Sequence, residues 1–407
     1  MERADYAILG AGIAGVSAAE MVRKFDPRGS ILLLSGEREL PYDRPPLSKE
    51  LLRGERSADD VRLHPANRYT ELQISLELAR PALSINPEHA TVTCADGEQV
   101  RYRRLLIATG ARPRRLGVPG ESLDGVFPLR TLSEAQRIRE ATLDPQHVAI
   151  IGDGFIGLEA AASLALDGHS VQVLNLDRTI WPGLLRPETA QRIQRNLEDL
   201  GVQFHHGQRV IGFEGTHRVE SVHTSSHTFM ATVAIVGAGI ERNTEIAAAA
   251  GLRVEDGILV DQFLQTSAPG IFAAGDAARL RSDRESPHLE HWDNAVVQGR
   301  IAGANMAGQR VPFRHVPFFW SDLPGLTLNM IGHLPTTADV ITRGNPESLE
   351  FSQLYLANQQ LQGALLINRS KDRRAITTLI EQRVDLTDRL GDLADPTRPL
   401  ASLIPRP

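Results

Sequence analysis

Cysteine is almost absent from this sequence, since Cys94 is the one cysteine among 407 residues. A single thiol excludes an internal disulfide, a four-cysteine zinc or iron–sulfur site, and a redox-active dithiol. Lysine is also scarce, because only three of the 44 lysine and arginine positions are lysines: Lys24, Lys49 and Lys371. Each retained lysine is therefore a candidate for a specific role.

Long apolar runs and a basic excess are missing as well. The most apolar stretch, 148–166, contains Asp153 and Glu159, so no membrane-spanning helix is expected. Glu2 and Asp5 precede the first apolar run, which is unlike the basic start of a secretory signal. A net charge of −6 argues against nucleic acid as the main ligand. We therefore expect a cytoplasmic globular protein without membrane or nucleic-acid partners.

Two glycine-rich units, each flanked by apolar runs, are the strongest motifs in the chain. Each reads as a strand, a tight turn, a helix and a second strand within about thirty residues, which is typical of a dinucleotide-binding unit. The glycines are Gly10, Gly12 and Gly15 in the first unit and Gly152, Gly154 and Gly157 in the second. One such motif is a weak signal, whereas two copies in the same context strongly indicate two nucleotide-binding regions.

Further residues around the first unit fit nucleotide chemistry. Gly10 permits the tight turn, Gly12 lets the backbone approach a pyrophosphate, and Gly15 allows helix–strand packing. Glu37 follows the second strand, where a carboxylate accepts hydrogen bonds from a ribose. The alternative is that Glu37 is an ordinary loop carboxylate. The proline-rich turn 40–49 delivers Arg44 and Lys49 soon afterwards.

A late apolar strand ends in Gly275-Asp276 at a predicted helix start, where the carboxylate can reach a ribitol hydroxyl. With the segment 108–110, this set resembles the FAD-dependent pyridine-nucleotide oxidoreductases. Within them it is similar to the ferredoxin reductases of Rieske oxygenase and cytochrome P450 systems, to which apoptosis-inducing factor is related. The resemblance covers the whole chain, including the segments Tyr42–Lys49, Val126–Arg130, Glu290–Trp292 and Phe319–Asp322.

This resemblance implies an FAD site and three catalytic residues, Lys49, Glu159 and Trp320. The residues that match FAD-binding positions are Gly10, Gly12, Ala14, Gly15, Glu37, Arg44, Lys49, Ala82, Ala108, Thr109, Gly110, Arg130, Gly275, Asp276, Glu290, His291, Trp292 and Trp320. Trp320 matches an aromatic residue beside the isoalloxazine ring. Lys49 is expected to pair with Glu159 next to the flavin, where an ammonium near N5 favours the reduced form. The alternative for Lys49 and Glu159 is an ordinary surface ion pair.

The second unit is expected to hold NADH or NADPH. Its predicted contacts are Gly152, Gly154, Phe155, Ile156, Gly157, Glu159, Asn175, Asp177, Arg178, Gly237 and Gly239. Relatives usually place glutamate after the following strand, but this chain has Asn175 there. NADH is favoured, while NADPH use and weak or absent dinucleotide binding stay open. Asp153 puts a negative side chain near the expected pyrophosphate, unless it points to solvent.

The fold expected is α/β, with two doubly wound Rossmann-like domains in a glutathione-reductase-like arrangement and a C-terminal α+β domain. The predicted boundaries are 1–113 with 246–312 for the FAD domain, 114–245 for the NAD(P) domain and 313–407 for the third. A hairpin is predicted from 91–94 and 99–102, and a similar series from 219–222, 225–226 and 232–236. The last domain is expected to contain strands 351–356 and 361–367, a helix over 373–381 and an extended tail from Pro396.

Other candidate sites carry less weight. His288, Glu290 and His291 have the spacing of metal ligands, but the family match of Glu290–Trp292 explains them better, so no metal is expected. His205 and His206 are expected to be structural or solvated, and Cys94 to be inert.

Together these features predict an enzyme that passes electrons from NADH, or NADPH, through FAD to a small [2Fe–2S] ferredoxin serving an oxygenase or cytochrome P450. The absence of a dithiol argues against electrons leaving through a disulfide. The alternatives are a flavoprotein oxidase or reductase acting on a small molecule or oxygen, and a redox-sensing interaction protein like apoptosis-inducing factor. A monomer or a homodimer is expected.

Overall fold

The computed structural model describes residues 1–281, 290–335 and 337–405. The chain divides into two compact units. The first contains 1–46, 56–113 and 240–315, and the second contains 47–55, 114–239 and 316–407. The second unit therefore holds both the second glycine motif and the C-terminal region. The three domain boundaries given above stay a prediction.

The first unit is built on a seven-stranded sheet in the order β3-β2-β1-β6-β5-β4. The seventh strand, β19, pairs with the end of β6, beyond the part of β6 that pairs with β5. Its strands are β1 (Glu2–Leu9), β2 (Ile31–Leu34), β3 (Ile74–Glu77), β4 (Ala82–Asn86), β5 (Thr91–Cys94), β6 (Gln99–Ile107) and β19 (Ile271–Ala273). Strands β1, β2, β3, β6 and β19 run parallel, whereas β5 pairs antiparallel with β4 on one side and with the start of β6 on the other. The hairpin predicted from 91–94 and 99–102 is therefore confirmed.

Helices and short strands complete the first unit. They are α1 (Ile13–Phe25), α2 (Ala66–Glu71), β7 (Ala111–Pro113), β16 (Ile240–Arg242), α6 (Glu245–Ala249), β17 (Val254–Glu255), β18 (Gly257–Val260), β20 (Ala278–Leu280) and α7 (Trp292–Met306). Strand β2 is apolar at every position and fully buried, as expected for a strand in a parallel sheet covered on both faces. Ile8 of β1 and Leu105 of β6 are also completely buried.

The second unit contains a five-stranded parallel sheet in the order β11-β10-β9-β15-β8. Its elements up to residue 236 are β8 (Val126–Pro128), α3 (Leu132–Ala141), β9 (His147–Ile151), α4 (Phe155–Leu166), β10 (Ser170–Leu174), α5 (Pro187–Glu198), β11 (Gln203–His205), β12 (Val210–Glu214), β13 (Ser221–Thr224), β14 (Thr228–Met230) and β15 (Val233–Val236). Helix α3 begins with a capping box, in which Thr131 and Glu134 satisfy each other's backbone N–H groups.

The predicted series 219–222, 225–226 and 232–236 forms a hairpin followed by a strand of the parallel sheet. Strand β13 pairs with β14, and 233–236 forms β15 in the interior of the parallel sheet. Every residue of β15 is buried, so its apolar side chains are better satisfied between two parallel strands than in an exposed hairpin.

The C-terminal region of the second unit is an antiparallel sheet in the order β21-β22-β25-β24-β23 with helices packed on it. Its elements are β21 (Phe318–Leu323), β22 (Leu326–Gly332), β23 (Asp339–Asn345), β24 (Glu350–Ala357), β25 (Gln360–Ile367), α8 (Arg373–Glu381) and α9 (Leu390–Ala394). The strands and helix predicted in this region are confirmed. The prediction of an extended tail is wrong, because 400–403 forms a 3₁₀ turn that buries Leu400 and Leu403.

Across the described ranges, no helix is long and apolar enough to cross a membrane.

Candidate functional site

The first glycine loop joins β1 to α1 at the carboxyl edge of the parallel sheet. Gly10 has a φ of +106°, and an added Cβ would lie 2.2 Å from the carbonyl oxygen of Ala108 on the neighbouring strand connection. Gly12 precedes α1 and has no atom within 4 Å of an added Cβ. No side chain within the described ranges caps α1, so its first N–H groups stay available for an anion. This loop combines close packing at Gly10 with open space at Gly12, which fits a pyrophosphate.

Glu37 is a fixed carboxylate near the end of β2. The hydroxyl of Tyr42 donates to Glu37 Oε2 at 2.6 Å, and Arg44 Nη2 donates to Oε1 at 3.3 Å. Burial lowers the pKa of the Arg44 guanidinium, but Tyr42, Glu37 and Asp276 outweigh it and raise this pKa overall. Arg44 therefore remains a cation among these acidic groups.

Two further segments end at the same edge of the sheet. The Gly275 N–H donates to Gln298 Oε1 at 2.8 Å, which fixes the start of the turn that carries Asp276. Thr109 is held by Asn243, whose backbone oxygen accepts from Thr109 Oγ1 at 2.7 Å. Because β1, β2, β6 and β19 are parallel, their carboxyl ends meet at one edge. The structure thus brings together one subset of the predicted FAD residues: Gly10, Gly12, Ala14, Gly15, Glu37, Arg44, Ala108, Thr109, Gly110, Gly275 and Asp276.

The other predicted FAD residues of the first unit lie on neighbouring segments. Ala82 begins β4 directly after 79–81, a segment in which Ala79 N–H donates to Glu37 O at 2.8 Å. Trp292 Nε1 donates to Asp43 Oδ1 at 2.5 Å, which ties α7 to the turn that carries Arg44. His291 precedes α7, and Glu290 forms an ion pair with Arg242. Lys49, Arg130 and Trp320 belong to the second unit.

The second glycine loop repeats the geometry of the first. Gly152 has a φ of +101°, and an added Cβ would lie 2.6 Å from Gly237 O at the end of β15. Gly154 is open, with no atom nearer than 4.0 Å to an added Cβ. Gly239, in the loop that follows β15, has a φ of +93°. The second loop therefore also fits a pyrophosphate.

Phe155 and Ile156, the first residues of α4, have different surroundings. The Phe155 ring lies 4.6 Å from the Trp181 ring and 4.3 Å from the Phe319 ring, centroid to centroid. Ile156 is exposed. Phe155 thus belongs to an aromatic cluster, whereas Ile156 is exposed to solvent at the start of the helix.

Asn175, a predicted dinucleotide contact, has its amide nitrogen committed to protein partners, whereas its Oδ1 has no hydrogen-bond partner among the described residues. Asn175 is buried, and its Nδ2 donates to Asp153 Oδ2 at 2.9 Å and to Asp177 O at 3.1 Å. The interpretation that Asp153 points freely to solvent is wrong, since this side chain is half-buried and bonded to Asn175. Burial raises the pKa of the Asp153 carboxyl. Asp177 and Arg178 are exposed.

Lys49 and Glu159 form a buried ion pair, with Lys49 Nζ 3.4 Å from Glu159 Oε1 and side chains 10% and 7% exposed. Glu159 also accepts from two hydroxyls, Ser48 Oγ at 2.5 Å and Ser321 Oγ at 2.7 Å. The interpretation as an ordinary surface pair is therefore wrong. Sequence reasoning assigned no role to Ser48 or Ser321, although each is a small hydroxyl beside a predicted site residue.

Trp320 lies on the other face of β21 from Ser321, because successive strand residues point to opposite faces. Its ring stacks on Phe318, with centroids 5.7 Å apart. Phe319 and Ser321 share the face that contacts α4. Arg130 precedes α3, where its backbone N–H donates to Glu134 at 2.9 Å. The predicted trio of Lys49, Glu159 and Trp320 thus splits into an ion pair on one face of β21 and an aromatic residue on the other.

The remaining candidates are the histidines and the cysteine. His288 lies outside the described residues. Among those that the structure describes, no group of three histidine, cysteine or acidic side chains could hold a metal ion. Burial lowers the pKa of His205 and raises that of the Cys94 thiol.

Family comparisons cover nearly the whole chain. Residues 4–299 match the pyridine nucleotide-disulphide oxidoreductase model, and residues 318–404 match the reductase C-terminal model. A rubredoxin-NAD(+) reductase of Pseudomonas putida is 34% identical over 373 residues, which is 91% of this chain and 97% of that protein. The ferredoxin–NAD(+) reductase component of the biphenyl dioxygenase system of Paraburkholderia xenovorans is 32% identical, with 98% of each chain covered.

Solved structures agree with this match. The ferredoxin reductase for the CYP199A2 system of Rhodopseudomonas palustris superposes with a TM-score of 0.92 at 33% identity over 100% of both chains. The putidaredoxin reductase in a covalent complex with putidaredoxin gives a TM-score of 0.93 at 31% identity over 99% of both chains.

Proposed function

Because the chain belongs to the pyridine nucleotide-disulphide oxidoreductase family and is an NAD(P)H-dependent flavoprotein oxidoreductase, we propose that it passes electrons from NADH through FAD to a [2Fe–2S] ferredoxin. That ferredoxin would in turn serve an oxygenase or a cytochrome P450. A cytoplasmic location is part of this proposal, because NADH is supplied there.

The observation that carries the proposal is the whole-length similarity to reductases of small redox proteins, one of them solved in covalent complex with its partner. The C-terminal reductase domain is included in that similarity. A small-molecule oxidase or a redox-sensing interaction protein is less favoured, because the named relatives are reductases over both regions of the chain.

The residues of the first unit fit FAD by their own chemistry. The open space at Gly12 and the uncapped start of α1 suit the pyrophosphate, and the fixed Glu37 carboxylate suits a ribose. Asp276 supplies a second carboxylate for a polyol chain. The chemistry that FAD supplies when bound is acceptance of a hydride from nicotinamide and release of single electrons.

In the second unit, we propose that the glycine loop at 152–157 binds the nicotinamide dinucleotide and that the Lys49 ammonium stabilises the reduced flavin. Glu159 holds Lys49 in place, and the hydroxyls of Ser48 and Ser321 hold Glu159.

Rubredoxin is a second candidate acceptor, favoured by the 34% identity to a rubredoxin-NAD(+) reductase. The test is the NADH-dependent reduction of cytochrome c with no carrier, with a [2Fe–2S] ferredoxin and with a rubredoxin. We expect turnover to require the ferredoxin. Turnover with rubredoxin alone would identify the second candidate, and equal rates with and without either carrier would contradict both.

Substituting Gly12 tests the assignment of the first loop to FAD. We expect Gly12→Ala to fold normally, because an added Cβ meets no protein atom, yet to lose FAD affinity by about tenfold or more as the methyl enters the space for the pyrophosphate. The measurement is the flavin content of purified protein and the FAD dissociation constant. Gly391→Ala is the matched control, since Gly391 also has open space around it. Full FAD affinity in Gly12→Ala would contradict this assignment.

A further inference from the structure

Asp153 and Asn175 occupy adjacent positions at the carboxyl edge of the second parallel sheet. Asp153 lies in the loop after β9, and Asn175 directly follows β10, whose Leu174 pairs with Ile151. The bond from Asn175 Nδ2 to Asp153 Oδ2, at 2.9 Å, joins the two connections. This edge is where a parallel nucleotide-binding sheet holds the adenosine ribose.

The amide of Asn175 has no donor left for a ligand. Both of its protons are committed, one to Asp153 Oδ2 and one to Asp177 O. This orientation is fixed by chemistry, because both partners accept hydrogen bonds and only the NH₂ side of an amide donates. The Asn175 side chain is 2% exposed, whereas Asp153 remains partly accessible. Asn175 is therefore suited to position Asp153 through its NH₂ group, while its buried Oδ1 has no hydrogen-bond partner among the described residues.

We propose that Asp153 is the residue that selects NADH over NADPH, and that Asn175 positions it. This inference rests on the proposed function of the second glycine loop and names the specificity element within it. A carboxylate accepts hydrogen bonds from ribose hydroxyls, whereas a 2′-phosphate offers it no proton at neutral pH and repels it. In this chain the loop carboxylate thus takes over the role usually given to an acidic residue after the second strand.

The experiment compares wild-type protein with Asp153→Asn, which keeps the shape of the side chain and removes its charge. Dissociation constants for NAD⁺ and NADP⁺ are measured by calorimetry on the FAD-loaded protein at fixed ionic strength, and kcat/KM for NADH and NADPH is measured alongside. We expect wild type to prefer NAD⁺ and Asp153→Asn to lower that preference by about tenfold or more, the size of one charge-assisted hydrogen bond.

Two further variants test whether the effect is specific to the charge at position 153 and whether it depends on the hydrogen bond from Asn175. Asp199→Asn removes the same charge from an exposed position of the second unit at the end of α5, so its preference should equal that of wild type. Asn175→Leu should also lower the preference, because Asp153 loses its donor, although its own charge is kept.

Several outcomes would overturn the proposal. If Asp153→Asn tightens both nucleotides equally, Asp153 only repels the pyrophosphate. If Asp199→Asn lowers the preference as much as Asp153→Asn does, the cause is general electrostatics. A wild-type preference for NADP⁺, as expected if Arg178 binds the 2′-phosphate, contradicts it as well. Failure to bind either nucleotide overturns this inference and also the proposal that NADH is the electron donor. Normal binding without ferredoxin reduction overturns only the proposed acceptor.

Discussion

Lys49→Met is expected to slow the reduction of the flavin by NADH by about ten- to a hundredfold while FAD stays bound. The physical reason is the loss of a buried ammonium, whose charge-assisted hydrogen bond to an electron-rich partner is worth about 1.5–3 kcal/mol. Methionine has a similar length and no charge. Glu159 keeps its donors Ser48 and Ser321 in the variant, so its carboxylate stays hydrogen-bonded although it loses its counter-charge.

The measurement is stopped-flow reduction of the bound flavin, together with its midpoint potential, which should fall in the variant. Lys371→Met is the matched control, because Lys371 is an exposed lysine of the same unit. An unchanged rate and potential in Lys49→Met would show that Lys49 serves only to neutralise Glu159.

The glycine loops could be predicted from sequence because their geometry is local. A positive φ at Gly10 or Gly152, followed by a helix, depends on a few consecutive residues and on the apolar strands beside them. The same holds for β24, β25 and α8, whose apolar periodicity is strong within each element. Such features do not depend on which distant segment packs against them.

Features that depend on distant partners could not be predicted from local pattern, and the pair of Lys49 and Glu159 was expected only because the family resemblance implied it. Ser321 reaches Glu159 across 162 positions of sequence, and nothing in the segment Phe319–Asp322 indicates that contact. The neighbours of β15 could not be predicted for the same reason, since β8 and β9 lie far upstream.

At position 175 the motif and the contacts in the structure lead to opposite expectations for the substitution Asn175→Glu. Sequence comparison suggests that Asn175→Glu would restore a missing ribose acceptor. In the structure a carboxylate at 175 would be buried against Asp153. Asp153 would also lose the hydrogen-bond donor that Asn175 provides. A buried carboxylate at 175 and the half-buried carboxylate of Asp153 would repel each other, so that substitution is expected to disturb the loop rather than improve it.

Glu159→Leu is expected to destabilise the protein strongly, and adding Lys49→Met is expected to restore most of the loss. Removing one partner of a buried ion pair costs about 3–5 kcal/mol, because the remaining charge is left without compensation. Here the leucine would also leave the hydroxyls of Ser48 and Ser321 without their acceptor. Replacing both charges by apolar side chains of similar size removes the bare charge and is often close to neutral.

The measurement is the thermal unfolding midpoint of the flavin-loaded protein at a fixed excess of FAD, since bound ligand itself raises that midpoint. The single variant should unfold about 10 °C below wild type, and the double variant should recover most of that difference. Glu347→Leu is the control, because Glu347 pairs with Arg192 at the surface, where ion pairs contribute little. If the double variant is as unstable as Glu159→Leu, the loss comes from packing and from the two serines rather than from an uncompensated lysine.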